Sequence, residues 1–302
     1  MKKVLSFLVL TCCCSILFGQ TSLQYRLSEG DTFTIKQKAV QVITQELDGA
    51  AHEITNNLDG VMQFLVMTEN ADNYQIKVTF TDLNLNMSSS IQGELLNVNA
   101  SVVNEEDIQS KIFNSLLNEP IYIVLARNGD ILEVTGGDSL VTKMANSSGL
   151  QDEFSLNMMK KSLEKEFGSE ALSNSYKQMT FIYPDKKVAV GDEWENEYFG
   201  KLTAKNIWTL EELTADSADI IGNALVEMDI AEPATTMRLS GSQKTTISTD
   251  INTGFIQQMS VEGNFEGAST MAQLGDQEIP TSIKSTVLYE LISNQVTEPI
   301  KY

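Results

Sequence analysis

Three glutamates lie at alternate positions just past the middle of the chain: Glu193, Glu195 and Glu197. In a β-strand, where successive side chains point to opposite faces, all three line one face. Such a row could bind a hard cation through its oxygens, or raise the pKa of one carboxyl group for acid–base work. That interpretation would make the protein a carboxylate-dependent glycan hydrolase. We favour the alternative, a solvated outer face opposite a buried face that carries Trp194 and Tyr198.

The remaining residue types offer little for catalysis. His52 is the only histidine, its neighbours suggest an exposed turn or strand edge, and nothing near it resembles a nucleophile elbow. The segment 250–254 resembles the opening of a calcium loop but lacks the closing glutamate, so a hairpin turn is favoured. We therefore predict no catalytic residue, no metal site and no cofactor.

The first nineteen residues have the pattern of a secretory signal peptide. Lys2 and Lys3 precede an almost wholly apolar stretch, Val4 to Phe18, and Gly19 offers a small residue for cleavage. Cys12, Cys13 and Cys14, the three cysteines of the chain, all fall inside this apolar stretch. Cleavage after Gly19 would leave a mature chain without disulfides or thiolate metal ligands. Lipid anchoring is the alternative that this cysteine cluster leaves open.

Charge and composition exclude several classes of protein. Without Lys2 and Lys3, 19 basic residues face 41 acidic ones, a net charge of −22. Such an acidic chain should repel nucleic acid and anionic membrane surfaces. A hydrophobic content of 42% is enough to build a core, which argues against global disorder.

A short motif occurs twice and predicts an internal duplication. Leu27-Ser-Glu-Gly-Asp-Thr-Phe33 is echoed by the Gly-Asp pair before Trp194, at an offset of 161. A second match, Phe64 to Tyr74 with Trp208 to Ala218, has an offset of 144. The first half therefore carries extra chain between the two motifs. Matches in the same order favour one β-rich unit used twice.

Alternating and helical patterns place the elements of each half. Apolar residues alternate from Tyr74 to Phe80 and resume out of phase at Leu83, which predicts a bulge near Asp82. A helix is predicted to start with Asn104 as its N-cap. Asn128-Gly129 predicts a hairpin with a type I′ turn.

The longest helical pattern, Leu150 to Phe167, carries two apolar stripes instead of one. Leu150, Phe154 and Met158 share one face, and Leu156, Met159, Leu163 and Phe167 share the other. One interpretation is a helix wedged between the sheet and the next helical stretch. The other is a lid whose second face touches an apolar ligand or partner. On that second interpretation, the ligand-binding residues are Phe154, Met158, Leu156, Met159 and Leu163.

Several of these segments together resemble an uncharacterised exported-protein family of Bacteroidetes type, the domain of unknown function 6263. The resemblance covers nearly the whole mature chain. It rests on these segments: Leu23 to Phe33, Ile43 to Gly49, Tyr74 to Phe80, Asn128 to Gly136 and Tyr183 to Trp194. The family supplies no activity and no catalytic residues. It implies a Gram-negative envelope or secreted location.

The sequence therefore predicts a mainly β (α+β) fold of two pseudo-repeated antiparallel halves, which form a curved sheet with a helical insert packed on it. After the signal peptide, 20–302 would be one two-lobed domain. It comprises an N-terminal half (20–149), a helical connector (150–179) and a C-terminal half (180–302).

The predicted function is a non-enzymatic exported binding protein that holds an apolar or lipid-like amphipathic ligand between sheet and helices. The alternative is a structural or protein-interaction module of the cell envelope without a ligand cavity. We expect a lipid-like molecule or an envelope protein as partner, no nucleic acid, and no transmembrane span in the mature chain. The expected location is periplasmic, outer-membrane-associated or secreted.

Overall fold

A computed structural model describes residues 19–200, 202–232, 234–275 and 277–297. The predicted signal peptide, apart from its last residue, lies outside the described residues, and so do the three cysteines. Within these ranges the chain forms long strands and four α-helices. The strands are β1 (Thr32–Leu47), β2 (Ala50–Glu69), β3 (Asn73–Ser89), β4 (Gly93–Asn99), β5 (Pro120–Ala126), β6 (Ile131–Thr135), β7 (Glu193–Tyr198), β8 (Leu202–Leu213), β9 (Ser217–Glu232), β10 (Thr235–Asp250), β11 (Ile256–Met271) and β12 (Ile279–Gln295). The helices are α1 (Ile108–Leu116), α2 (Gly137–Ser147), α3 (Glu153–Phe167) and α4 (Ser169–Thr180).

All strands join one antiparallel sheet. Its order is β6-β5-β3-β2-β1-β12-β11-β10-β9-β8-β7, and β4 pairs beside β3. The edge strands β6 and β7 do not pair with each other, so the sheet is open. Helix α4 nevertheless contacts both of them, which requires the sheet to curve around it. The predicted fold class is confirmed: a mainly β protein, with helices packed on one curved sheet.

The two predicted halves follow each other across this sheet. Strands β1, β2, β3, β5 and β6 of the first half correspond in order to β7, β8, β9, β10 and β11 of the second. Strand β12 joins the two halves, because it pairs with β1 on one side and β11 on the other. The extra chain predicted between the motifs of the first half is the longer β1–β2 hairpin.

The repeated Gly-Asp turns have the same hydrogen bonds. The amide of Gly30 donates to the carbonyl of Val66 at 2.9 Å, and the amide of Gly191 donates to that of Leu210 at 2.8 Å. Val66 and Leu210 lie on β2 and β8 and are 144 residues apart, the offset found in the sequence. Both glycines have a φ near +90°, where a side chain is strained.

The core lies on the face of the sheet that meets the helices, which we call the inner face. One end of this face is crossed by residues 21–27, here called the strap. The amide of Tyr25 donates to the carbonyl of Arg127 and that of Arg26 to Thr253, both at 2.8 Å, so the strap ties the β5–β6 hairpin to the β10–β11 hairpin. Tyr25 is buried there against Tyr183 and Phe255.

Three local predictions can be compared with the structure. The bulge near Asp82 is confirmed, because Asp82 pairs with Val61 while Phe80 pairs with the next residue of β2. The start of α1 was predicted three residues too early: Asp107 is the N-cap and accepts from the amide of Gln109 at 2.9 Å. The Asn104 side chain instead accepts from the Glu106 amide in a separate turn.

The predicted β5–β6 hairpin is present, but its turn is not type I′. A type I′ turn needs positive φ at both central residues. Only Gly129 has one here (93°), and it donates to the carbonyl of Ala126 at 2.9 Å. This is the geometry of a type I turn followed by a left-handed glycine.

Candidate functional site

The inner face of the sheet carries a row of uncharged polar residues that runs through eight strands in register. From β2 to β7 the row reads Asn56, Gln41, Ser285, Gly263, Gln243, Ala224, Asn206 and Asn196. Each residue is the direct cross-strand partner of the next. We call this row the polar belt.

Apolar rows flank the belt on both sides. Toward the strap the neighbouring row is Leu58, Ala39, Val287, Val261, Thr245, Gly222, Trp208 and Trp194. On the other side it is Ile54, Ile43, Ile283, Phe265, Gly241, Val226, Ala204 and Tyr198. None of these three rows contains an acidic or basic side chain.

The opposite, outer face of the same strands carries the charge. Exposed outer positions include Lys38, Glu195, Glu197, Lys205, Lys244, Glu262 and Lys284. Because burial of an unpaired charge is costly, this separation marks the inner face as the one that avoids water and ions. In a chain with twice as many acidic as basic residues, a carboxylate-free inner surface of this size is a distinct feature of the site.

Hydrogen bonds account for only part of the belt. The Asn56 amide Nδ2 donates to Gln41 Oε1 at 3.1 Å, and Asn196 Oδ1 accepts from the indole of Trp208 at 2.9 Å. Asn206 is 1% exposed, yet its Nδ2 has no partner among the described residues. The Oδ1 of Asn56 is likewise buried and has no partner among the described residues. Buried amide groups normally have partners, so these two atoms are exceptions on the inner face.

Toward the strap, the space between the inner face and α4 is filled. The cavity lined by Tyr25, Phe64, Met179 and Phe255 measures about 20 Å³. A second cavity, where Tyr176 of α4 faces Tyr289 of β12, measures about 50 Å³. Neither holds more than a water or two, so no lipid-sized molecule fits beneath α4.

Tyr289 sits between this filled region and the belt. Its hydroxyl accepts from Gln37 Nε2 at 3.3 Å. Burial raises the pKa of Tyr289 to about 12, and burial likewise raises the pKa of Tyr176 on the facing helix. Both phenols are therefore neutral at physiological pH, in keeping with the uncharged rows beside them.

Larger space lies beside α4. An open groove of about 1040 Å³ runs between α3, α4 and the β7–β8 connection. Its α3 wall is charged, with Lys161, Glu164, Lys165 and Glu166, and its α4 wall is mainly polar and includes Glu170; Phe199 and Leu202 supply its large apolar side chains. Leu202 belongs to the inner face, because it pairs with Met228 two positions beyond the apolar row. The groove therefore opens at the rim of the inner face.

The predicted ligand-binding residues divide between the two sides of α3. Phe154 and Met158 are 74% and 54% exposed, whereas Met159 and Leu163 are half-buried and pack against the core. Leu156 is half-buried. At helical spacing, Phe154 and Met158 share a face with Lys161 and Lys165, so this exposed stripe continues along α3 beyond the residues that line the groove.

The other sequence candidates are not brought together. Glu193, Glu195 and Glu197 are exposed on the outer face of β7, and Glu195 lies 3.7 Å from the ammonium group of Lys205. His52 lies near the start of β2, where it pairs with Gln45. Asp250 accepts from the backbone amides of Asn252 and Thr253 within its hairpin turn, a use of this carboxylate that requires no cation.

Comparison with protein families assigns the chain. The model of a family of unknown function, DUF6263, matches residues 71–256, more than half of the sequence. The chain belongs to this family. No curated protein matches the sequence.

Comparison with solved structures gives matches at low sequence identity. A structure of lipovitellin, described for its lipid–protein interactions, matches 92% of this chain with a TM-score of 0.52 and 10% identity. This chain spans 26% of the length of that one, and at such low identity the likeness concerns the fold alone. DynF from the dynemicin pathway of Micromonospora chersina covers 90% of this chain and 85% of its own, with 7% identity and a TM-score of 0.24.

An outer membrane channel from Pseudomonas putida F1 covers 89% of this chain and 97% of its own, with 9% identity and a TM-score of 0.25. The similarity of DynF and this channel is too weak to support an argument. Among the described residues, no helix is long and apolar enough to cross a membrane.

Proposed function

We propose that this protein is a non-enzymatic, exported binding protein of the cell envelope, which holds an apolar or amphipathic, lipid-like ligand on the inner face of its sheet. The observation that carries the proposal is the uncharged inner face, with its polar belt between two apolar rows. Amphipathic ligands are recognised by mostly apolar surfaces with a few placed polar groups. Because the space beneath α4 is filled, the ligand would enter by the groove beside α3 and α4.

The fold of lipovitellin supports this proposal by analogy. A curved antiparallel sheet that meets helices on one face is the arrangement that the two chains share over 92% of this one. That structure is described in terms of lipid–protein interactions, and fold-level analogy raises the expectation of a lipid here without establishing it.

Helix α3 would form the lid of the groove. Its stripe of Phe154 and Met158 is exposed, and no residue of α3 is fully buried. An apolar chain that extends from the groove along α3 would cover both side chains and regain the burial that they lack, worth about 1.5–3 kcal/mol for each fully buried side chain.

Native mass spectrometry of the mature chain purified from envelope fractions tests the proposal. We expect a bound small mass that organic solvent removes, and its absence in repeated preparations would contradict the proposal. Fractionation of the producing cells tests the location in the same experiment.

A paired variant tests the lid. Replacing Phe154 and Met158 with glutamine should weaken binding of an acyl-chain probe about a hundredfold or more, since two apolar contacts are lost. Leu225→Gln is the matched control, because Leu225 is 75% exposed on the outer face of β9 and faces away from the groove. An equal loss in both proteins would argue against a role for α3.

The filled space beneath α4 favours a second candidate, an interaction module of the envelope that carries no ligand. On this proposal the acidic surface meets a protein partner. Recovery of one envelope protein in stoichiometric amount, with no bound small mass, would favour the module over the lipid carrier.

A further inference from the structure

The polar belt also indicates which kind of amphipath the inner face would accept. All polar groups of the belt are carboxamides or a hydroxyl, which donate and accept hydrogen bonds without carrying charge. Ester carbonyls, amide carbonyls and hydroxyl groups can be satisfied by such partners. A carboxylate or phosphate placed there would lose its hydration and find no cation in the three rows.

Two belt atoms are placed to make such contacts. Asn206 Nδ2 is a buried donor and Asn56 Oδ1 a buried acceptor, and neither has a partner among the described residues. Asn206 lies next to Trp208 along the inner face of β8, and Asn56 lies between Ile54 and Leu58 along that of β2. Each unpartnered polar atom therefore adjoins apolar surface, the juxtaposition that a carbonyl or hydroxyl on an acyl chain would match.

We infer that the inner face selects neutral amphipaths, acyl chains whose polar part consists of ester, amide or hydroxyl groups, and discriminates against anionic ones. Asn206, Gln243 and Gln41 of the belt determine this specificity. The inference rests on the proposed function, since it specifies the ligand class of the same site.

The two tryptophans of the chain provide the readout. Trp194 and Trp208 both lie on the inner face, each directly beside a belt asparagine. A brominated hexadecanoyl chain that binds there should quench their fluorescence. Two probes share the acyl chain and differ in their head group: brominated hexadecanoic acid, ionised at about pH 8, and its uncharged glycerol monoester. We expect the monoester to bind the wild-type protein at least about tenfold more tightly than the acid.

A charge placed in the belt should reverse this preference. Gln243 is half-buried on the inner face of β10, and Ser242, the preceding residue, is exposed on the outer face. Gln243→Lys supplies the missing cation and should shift the ratio of the two affinities about tenfold toward the acid. Ser242→Lys adds the same charge on the same strand and should leave the ratio unchanged. Thermal unfolding of both variants verifies that each is folded before the probes are compared.

The outcomes separate this inference from the proposed function. Quenching by the monoester, weak quenching by the acid and a shift confined to Gln243→Lys support it. Equal binding of both probes, or equal shifts in the two lysine variants, overturns the inference while the proposed binding function stands. Failure of both probes to quench the wild-type protein, with no bound mass in native mass spectrometry, overturns both.

Discussion

The two Gly-Asp turns are alike in geometry and differ in surroundings. Each aspartate accepts from the backbone amide three residues earlier at 2.8 Å, and each glycine closes the same bond to the next strand. Asp31 is 1% exposed in the middle of the sheet, whereas Asp192 is exposed beside the edge strand β7. The comparison shows that the local sequence determines the geometry of the turn. The position of each half in the sheet determines how much of the protein's stability depends on that turn.

The matched aromatic residues on the strands to which these turns are bonded should give the largest effects. Phe64 and Trp208 occupy equivalent places on β2 and β8 and are buried to 3% and 1% exposure. Phe64→Ala and Trp208→Ala should each lower the free energy of unfolding by about 3–5 kcal/mol through lost burial and a cavity. Chemical denaturation measures both. If only Phe64→Ala is this costly, the second half does not share the core of the first.

Substitutions of the two aspartates should differ in their effect on stability. Asp31 Oδ1 also accepts from the amide of Thr297 at 2.7 Å, and so Asp31→Ala leaves two amides without a partner. We expect a loss of about 2–3 kcal/mol for Asp31→Ala and about 1 kcal/mol for Asp192→Ala, measured by urea denaturation. Equal losses would contradict the dependence on burial.

The glycines should instead behave alike. Gly30 and Gly191 have φ values of 91° and 90°, which strain any side chain regardless of the surroundings. Gly30→Ala and Gly191→Ala should each cost about 1–2 kcal/mol and agree within about 0.5 kcal/mol in thermal unfolding. A much larger loss at Gly30 would indicate that the neighbouring Thr297 hydroxyl, 3.3 Å from a Cβ placed there, cannot move.

Strand β12, which joins the two halves, supplies an effect that depends on pH. Below about pH 10 the Tyr289 phenol is protonated in both the folded and the unfolded chain. Between about pH 10 and 12 only the unfolded chain loses this proton, because the pKa of folded Tyr289 is raised to about 12, and stability falls. Tyr289→Phe should lose slightly less stability than wild type across this interval. Denaturation at both ends of the interval measures the difference.

The sequence predicted the fold better than the site. The repeat offsets and the bulge at Asp82 could be found because they depend on local spacing. The polar belt could not, since its residues come from eight strands whose register is fixed by tertiary pairing. Strand β1 illustrates the difficulty: Gln41 points inward while Val40 is 44% exposed on the outer face, so alternation alone assigns the wrong faces.

The spacing of apolar residues in the sequence indicated the two stripes of α3. The structure shows which of the two is exposed. The location of the α1 N-cap was missed because neighbouring residues compete for it. Several polar residues in succession, such as those from Asn104 to Asp107, offer equivalent caps, and the packing of the following helix selects one of them.

The strap has a consequence for the order of events in folding. Its backbone bonds join Tyr25 to Arg127 and Arg26 to Thr253, so the earliest of these residues to be synthesised must wait for a hairpin more than 220 positions later. Strands β1 and β12 are separated even more widely, because the paired residues Thr32 and Gln295 are 263 positions apart. Contacts between such distant parts of a chain form slowly. The final docking of the strap should therefore be a late and rate-limiting step of refolding.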